Sequence, residues 1–271
     1  MPRMTRLGTV SALWRFPVKA MMGEQLNRAL VTAGGLAGDR DWALIDADNH
    51  IGTGKIPRKW GPLFSSRARY IEEPNGESPI AAEMTLPDGG RVMTSAADAE
   101  ARLSALLGFE ARLITEAPGP LKLESPPLGK VPESDDAETV DFPVINRFFD
   151  LGSLHLLTTA TLAKLSELSP GTKFDPRRFR PNMIVDTEDA SGFVENDWPG
   201  KVIAIGDEVR IKVMMPTVRC VVTTLAQDDL PNDPSVLRTA AAHNSANVGV
   251  YAAVWQGGTV RRGDSVELVD G

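Results

Sequence analysis

The chain has 271 residues, of which 42% are hydrophobic and 24% are charged, proportions typical of a globular protein with a sizeable core. The formal net charge of −7 excludes a broadly basic nucleic-acid-binding surface. A single cysteine excludes an internal disulfide and a cysteine-rich zinc or iron–sulfur site. No apolar run is long enough to cross a bilayer, and the basic N-terminus lacks the apolar segment of a signal peptide. These features predict a cytoplasmic protein without a membrane or nucleic-acid partner.

Short runs typical of β-strands dominate the chain, and turn residues separate them. In chain order they are GTVSALWRFPV, DWALIDAD, EARLITEA, NMIVDT, KVIAIGD and VRIKVMM. Three helices are also predicted. The first is capped by Ser95 and ends at Gly108, and the second covers LTTATLAKLSELSPG. The third is capped by Asp233, with Pro234 in its first turn.

The stretch from Ala117 to Pro143 is rich in proline and acidic residues and has no clear period. It is therefore predicted to be a linker or a surface loop between two halves of the chain. The predicted fold class is α+β, mostly β with a few helices, arranged in two β-barrel-like subdomains. Their predicted bounds are residues 1–120 and residues 125–271, and Cys220 lies in the second.

Several basic residues stand beside turns and strand ends instead of along a solvated helix face. Lys19 follows FPV, Arg40 comes directly before a strand, Arg180 lies in DPRRFRPN, and Arg219 precedes the cysteine. As a set they predict a site for phosphate or another small anion, because the guanidinium fork matches phosphate oxygens. Taken singly, each is better explained by an ordinary surface salt bridge.

The cysteine, Cys220, lies in PTVRCVVTT near the end of a predicted strand. The residues alone leave its role open between a small buried apolar side chain and a thiolate favoured by Arg219. Strand alternation points Arg219 to the opposite face, which weakens the second interpretation. A Cys–His pair with His155 or His243 as the base has no sequence signature. Neither zinc-ligand spacing nor a GxGxxG or P-loop motif is present.

Seven motifs, taken in order, resemble those of the MOSC family, which is named for the C-terminal domain of molybdenum cofactor sulfurases. The resemblance is to its two-part branch, which includes the mitochondrial amidoxime-reducing component, and it covers nearly the whole chain. The motifs are FPVKA, GLAGDRDWALID, LLTTATLAKL, RRFRPNMIVD, DWPGKVIAIGDEVRI, TVRCVVTT and NVGVYAAVWQGGTVRRGDSVEL. The resemblance implies a MOSC N-terminal barrel followed by a MOSC domain.

The resemblance also implies a cofactor, Mo-molybdopterin, with Cys220 as the metal ligand and a catalytic residue. The cofactor contacts that it implies are Lys19, Arg40, Thr158, Thr161, Arg180, Asn182, Arg219 and Tyr251. Two departures from the family pattern stand out. Ala20 replaces a serine, and Lys55 stands where the family usually has arginine, keeping the charge without the fork. Lys55 is expected either to orient a substrate at the pocket mouth, as a catalytic residue, or to be a plain surface lysine.

The activity implied by the resemblance is that of a molybdenum oxidoreductase that reduces a small N-hydroxylated compound. An external electron-transfer protein, ferredoxin- or cytochrome-like with its reductase, is the predicted partner. The reason is that one cysteine cannot hold an iron–sulfur cluster and that no dinucleotide fingerprint is visible. Two alternatives stay open: a carrier of the molybdenum cofactor, and a sulfur carrier that uses a persulfide on Cys220.

Overall fold

The computed structural model describes residues 4–125, 137–144 and 147–269. Its strands are β1 (Met4–Arg15), β2 (Glu24–Leu26), β3 (Arg28–Thr32), β4 (Gly35–Leu36), β5 (Ala43–Ile45), β6 (Arg67–Tyr70), β7 (Ala82–Thr85), β8 (Arg91–Met93), β9 (Arg112–Ile114), β10 (Leu121–Ser125), β11 (Glu138–Phe142), β12 (Leu154–Thr158), β13 (Met183–Asp186), β14 (Val202–Ile205), β15 (Val209–Val218), β16 (Asn247–Gln256), β17 (Gly258–Arg261) and β18 (Ser265–Val269). Its α-helices are α1 (Pro57–Trp60), α2 (Ala99–Leu107), α3 (Thr159–Leu168) and α4 (Ser235–Asn244). Within these residues, no helix is both long and apolar enough to span a membrane.

Seven of the described strands close into a barrel in the order β13–β12–β16–β15–β14–β18–β1, and β1 pairs with β13 to complete the ring. Strands β12 and β13 run parallel, and α3 connects them; the other barrel pairs are antiparallel. The alternation in VRIKVMM fills the interior, since Val209, Ile211 and Val213 are fully buried there. Closure pairs the strand edges that an open sheet would expose.

Strand β2 extends the barrel sheet by pairing antiparallel with β1, and the other described strands form four small sheets, β17–β3–β4, β5–β9, β6–β7–β8 and β10–β11. A second core, separate from the barrel interior, lies under β6–β7–β8 and α2 and includes Trp60, Leu63, Met84 and Leu103. The prediction of a mostly β, α+β fold with a barrel is confirmed. Helices near Gly108, after Thr158 and after Asp233 are present as well.

Three details of the prediction were wrong or incomplete. Helix α2 begins at Ala99, later than a cap at Ser95 would give, and the short helix α1 was not predicted. Strand β1 falls in the first predicted subdomain but is hydrogen-bonded to β18 and β13 of the second, so a split near residue 120 does not separate the barrel strands. The alternation of β1 predicts a strand, but it cannot say which strands it pairs with.

The stretch from Ala117 to Pro143 is not simply a linker. Strands β10 and β11 lie within it and pair antiparallel from Leu121–Phe142 to Ser125–Glu138. Leu121 and Phe142 are buried in a third small core, so the burial of these few apolar side chains outweighs the polar composition around them. The middle of the predicted loop, residues 126–136, lies outside the described residues.

Candidate functional site

A cavity of about 350 Å³ lies where the barrel meets the smaller sheets. Seven of the predicted catalytic and cofactor-binding residues line it, namely Lys19, Arg40, Lys55, Arg180, Arg219, Cys220 and Tyr251. They come from segments more than 200 positions apart in the chain, so the fold brings together what the motifs only suggested. The cavity therefore combines a thiol with a set of cations. We call it the cationic pocket.

Two of its arginines have an uncommon backbone conformation. Arg40 and Arg180 both have a positive φ, of 53° and 54°, a region that non-glycine residues seldom occupy. Both guanidinium groups lie over the ring of Phe16, at 4.9 Å and 4.2 Å from its centroid. Backbone strain of this kind costs about 1–3 kcal/mol and is concentrated at functional sites. These backbone conformations place the guanidinium groups of Arg40 and Arg180 on the same side of the pocket, over Phe16.

Arg180 and Arg219 have the N–H groups of the pocket that are best placed to bind an anion. Arg180 is buried, and its Nη1 has no hydrogen-bond partner among the described residues; the same is true of Arg219 Nε. Burial, together with the charge of Arg40, lowers the pKa of Arg180 to about 9. The group stays charged at neutral pH, and the charges of Asp39 and Asp150 offset only part of the cost of its burial. An anionic ligand would supply the missing acceptors.

Lys19, by contrast, already has partners. Its ammonium donates to Asp150 Oδ1 at 2.7 Å and to the carbonyl of Phe148 at 2.9 Å. Burial lowers the pKa of Lys19 in spite of this ion pair. Partial burial disfavours the ionised form of Asp150, but the charge and hydrogen bond of Lys19, together with the charges of Lys55 and Arg40, outweigh it and bring the pKa of Asp150 to about 2. The two groups therefore form a charged pair inside the pocket.

Arg40 is likewise paired, with Asp39. Asp39 is fully buried and accepts from the backbone N–H of Phe16 at 2.7 Å and from Asn182 Nδ2 at 2.9 Å. Asn182 Oδ1 in turn accepts from the N–H of His155 at 3.0 Å. Asn182 is not among the residues that line the cavity. Asn182 directly precedes β13, and it links that strand to β12 through His155 and to Asp39 behind the pocket wall.

The two predicted hydroxyl contacts, Thr158 and Thr161, also lie outside the cavity lining. Both residues are fully buried, and both hydroxyls donate to Glu195 Oε2, at 2.7 Å and 2.6 Å. Thr158 also caps α3 by accepting from the N–H of Thr161. Burial raises the pKa of Glu195. These threonines hold the first turn of α3 against a buried carboxyl group.

Cys220 is exposed at the pocket, so a buried structural thiol is excluded. The strand that was expected to continue through it ends at Val218, and a short 3₁₀ helix runs from Val221 to Thr224. The hydroxyls of Thr223 and Thr224 donate to the carbonyls three residues earlier, Cys220 and Val221. Such local bonds offer the backbone an alternative to the sheet ladder.

Arg178, which was not identified from the sequence, holds the segment after Cys220 in place. Arg178 is fully buried and donates to the carbonyls of Thr223, Leu225 and Pro231 at 3.3, 3.3 and 2.8 Å. Three arginines crowded into DPRRFRPN were the available signal. Nothing in the sequence indicated that Arg178 lies outside the pocket lining and binds the segment that follows Cys220.

A Cys–His catalytic pair is not supported. His155 lines the pocket, but its Nε2 faces the carbonyl of Val248 at 3.1 Å, and its ring packs on Tyr251. Burial, with a contribution from Arg219, lowers the pKa of His155 to about 3. A group this weakly basic is poorly suited to take a proton from a thiol. His243 lies on α4 and does not line the cavity.

Asp39→Asn is expected to lower the free energy of unfolding by about 1.5–3 kcal/mol, because a buried charged acceptor with three partners is lost. An amide in its place keeps the shape but sets an N–H against the N–H of Asn182 or Phe16. Urea unfolding measures the effect. Asp207→Asn, which removes the same charge from an exposed turn, should change the unfolding free energy by less than about 0.5 kcal/mol. Equal effects in the two variants contradict the role given to Asp39.

Comparison with known proteins agrees with this architecture. Residues 147–267 match the family model described as MOSC domain, and residues 7–59 match that of the MOSC N-terminal beta barrel domain. Together the two matches span more than half of the chain.

Curated relatives and one solved structure align over nearly the whole chain. The chain is 26% identical to mitochondrial amidoxime reducing component 2 of Homo sapiens, over 97% of this chain and 84% of that protein. The same component from Rattus norvegicus is 26% identical over 99% of this chain and 86% of its own length. A crystal structure of the YUAD protein from Bacillus subtilis aligns with a TM-score of 0.50, 11% identity, and 99% and 98% coverage of the two chains. That last likeness concerns the fold alone.

Proposed function

The chain belongs to the MOSC-domain family, and on that basis we propose that it binds a molybdenum–pterin cofactor and acts as an oxidoreductase. The proposed reaction is the two-electron reduction of small N-hydroxylated compounds, supported by relatives named amidoxime reducing components. One observation carries the proposal: an exposed thiol shares a pocket with two arginines that have unpartnered N–H groups.

The residues present fit such a cofactor at three points. Thiolate is a soft ligand of the kind that suits a redox-active metal, and Cys220 is open to the pocket. Arg180 and Arg219 have N–H groups that match the oxygens of a phosphate. Tyr251 also lines the pocket, where its aromatic ring could pack against the pterin ring system and its hydroxyl could form a hydrogen bond.

The fit is poorer at the other expected contacts. Carboxylates of the protein already bind Lys19, Arg40 and both threonines. We therefore leave Thr158 and Thr161 out of the proposed cofactor contacts and give Asn182 a supporting role behind the wall.

When bound, the cofactor would supply the two-electron redox chemistry. The protein contributes position and charge: Cys220 holds the metal, Arg180 and Arg219 orient the phosphate, and Lys55 faces the substrate at the mouth. An external electron-transfer protein, ferredoxin- or cytochrome-like with its reductase, is part of the proposal, because one cysteine cannot hold an iron–sulfur cluster. The relatives are named mitochondrial, so the expected cytoplasmic location stays a prediction.

Elemental analysis of the purified protein tests the proposal, combined with mass spectrometry of the released pterin. We expect molybdenum and pterin near one per chain in wild type and loss of the metal in Cys220→Ala. Metal without turnover of a simple N-hydroxylated compound would indicate a cofactor carrier. Sulfur bound to Cys220 without molybdenum would indicate a sulfur carrier. Protein that takes up neither metal nor pterin when supplied with both contradicts the proposal.

A further inference from the structure

Among the described residues that line the cationic pocket, Asp150 is the one carboxylate, beside five lysines and arginines. Its Oδ1 lies 2.7 Å from Lys19 Nζ, and its side chain is 53% exposed, against 7% for Lys19. The ammonium of Lys19 also donates to the carbonyl of Phe148 and lies 4.9 Å from the centroid of the Phe142 ring. These three contacts of the Lys19 ammonium all come from one stretch of chain, and the more exposed member of the ion pair is the carboxylate.

This arrangement differs from that at the arginines. Arg180 and Arg219 have buried N–H groups without a partner among the described residues, while the charge of Lys19 is cancelled at contact distance. The interaction between two charges weakens with distance, so at Lys19 the contacting carboxylate of Asp150 outweighs charges farther away. Arg180 and Arg219 attract an anion that enters the pocket. Near Lys19 the same anion is repelled by the carboxylate of Asp150.

We propose that Asp150 is a specificity-determining residue that neutralises Lys19 and confines anion binding to the end of the pocket formed by Arg180 and Arg219. Ligand groups that meet the lysine end are then uncharged or cationic, because a second anionic group would face the open oxygen of Asp150. The inference rests on the proposed function, since it names the part of the pocket that takes the cofactor phosphate and the charge class of substrate admitted beside it.

Titration calorimetry with inorganic pyrophosphate at constant ionic strength tests this without a loaded enzyme. Asp150→Asn keeps the side-chain shape and frees the charge of Lys19, so its affinity should be about 10-fold higher than that of wild type. The double variant Lys19→Met/Asp150→Asn has the net charge of wild type and should return to within about threefold of its affinity. Asp150→Glu keeps the charge and should also bind as wild type does.

Asp207→Asn is the matched control, because it removes one negative charge from an exposed turn that does not line the pocket; its affinity should not change. Thermal unfolding verifies that each variant is folded. Unchanged or weaker binding by Asp150→Asn, with Arg180→Met still abolishing binding, overturns the role of Asp150 and leaves the anion site intact. Equal binding by wild type and Arg180→Met, or no binding by any variant, overturns both the inference and the anion site on which the proposed function depends.

Discussion

Cys220→Ser is expected to lower molybdenum-dependent turnover more than about 100-fold while changing the free energy of unfolding by less than about 0.5 kcal/mol. The second part follows from the exposure of the side chain at the pocket. The first follows from the chemistry of the ligand: a serine oxygen is a harder donor than sulfur and is far less available as an anion at neutral pH. Replacing this one sulfur atom should therefore reduce turnover strongly and leave the stability of the fold almost unchanged.

The measurement is reduction of a simple N-hydroxylated compound with an artificial electron donor, normalised to the molybdenum content of each sample. Normalisation separates loss of chemistry from loss of metal. Pterin is expected to remain in Cys220→Ser, since the phosphate contacts at Arg180 and Arg219 do not involve sulfur. Wild-type turnover with full metal content in this variant would end the ligand assignment.

Local patterns predicted the elements of this fold better than they predicted their partners. The alternation in VRIKVMM identified β15, because a strand with one buried face must alternate. Nothing in β1 identifies β13 and β18 as its neighbours, since strand pairing joins residues far apart in the chain. The β10–β11 pair was missed for a related reason, as its few apolar residues stand among prolines and acidic residues.

The candidate site, too, was predicted in part: its residues, but not their partners. The motifs identified most of the residues that line the pocket, but they could not reveal which of those residues the protein already binds. Asp150 reaches Lys19 across 131 positions, and Glu195 reaches Thr158 across 37. Such pairs leave no periodic trace in one sequence. The structure therefore adds what the motifs could not give: which polar groups of the site are already paired with a carboxylate and which are available to a ligand.

Arg180→Met is expected to abolish the stabilisation that a bound anion gives, and to leave the ligand-free protein as stable as wild type or more so. The apolar side chain can still pack on Phe16, where the guanidinium now lies 4.2 Å from the ring centroid. Burial and the nearby Arg40 lower the pKa of Arg180 to about 9. The folded protein thus binds this proton less tightly than the unfolded chain does. Below about pH 9 the charge opposes folding, and a bound anion offsets that cost.

Unfolding with urea, in the absence and presence of pyrophosphate, measures both effects. Losing one charge-assisted contact costs about 1.5–3 kcal/mol, or roughly one to two decades of affinity. Arg28→Met removes the same charge from an exposed strand position, and this variant should keep the full stabilisation by pyrophosphate. If Arg180→Met were strongly destabilised without ligand, the guanidinium would be a structural group with partners of its own. The anion is expected here because the buried Nη1 of Arg180 has no hydrogen-bond partner among the described residues. If the variant kept the wild-type response to pyrophosphate, the anion would therefore bind elsewhere.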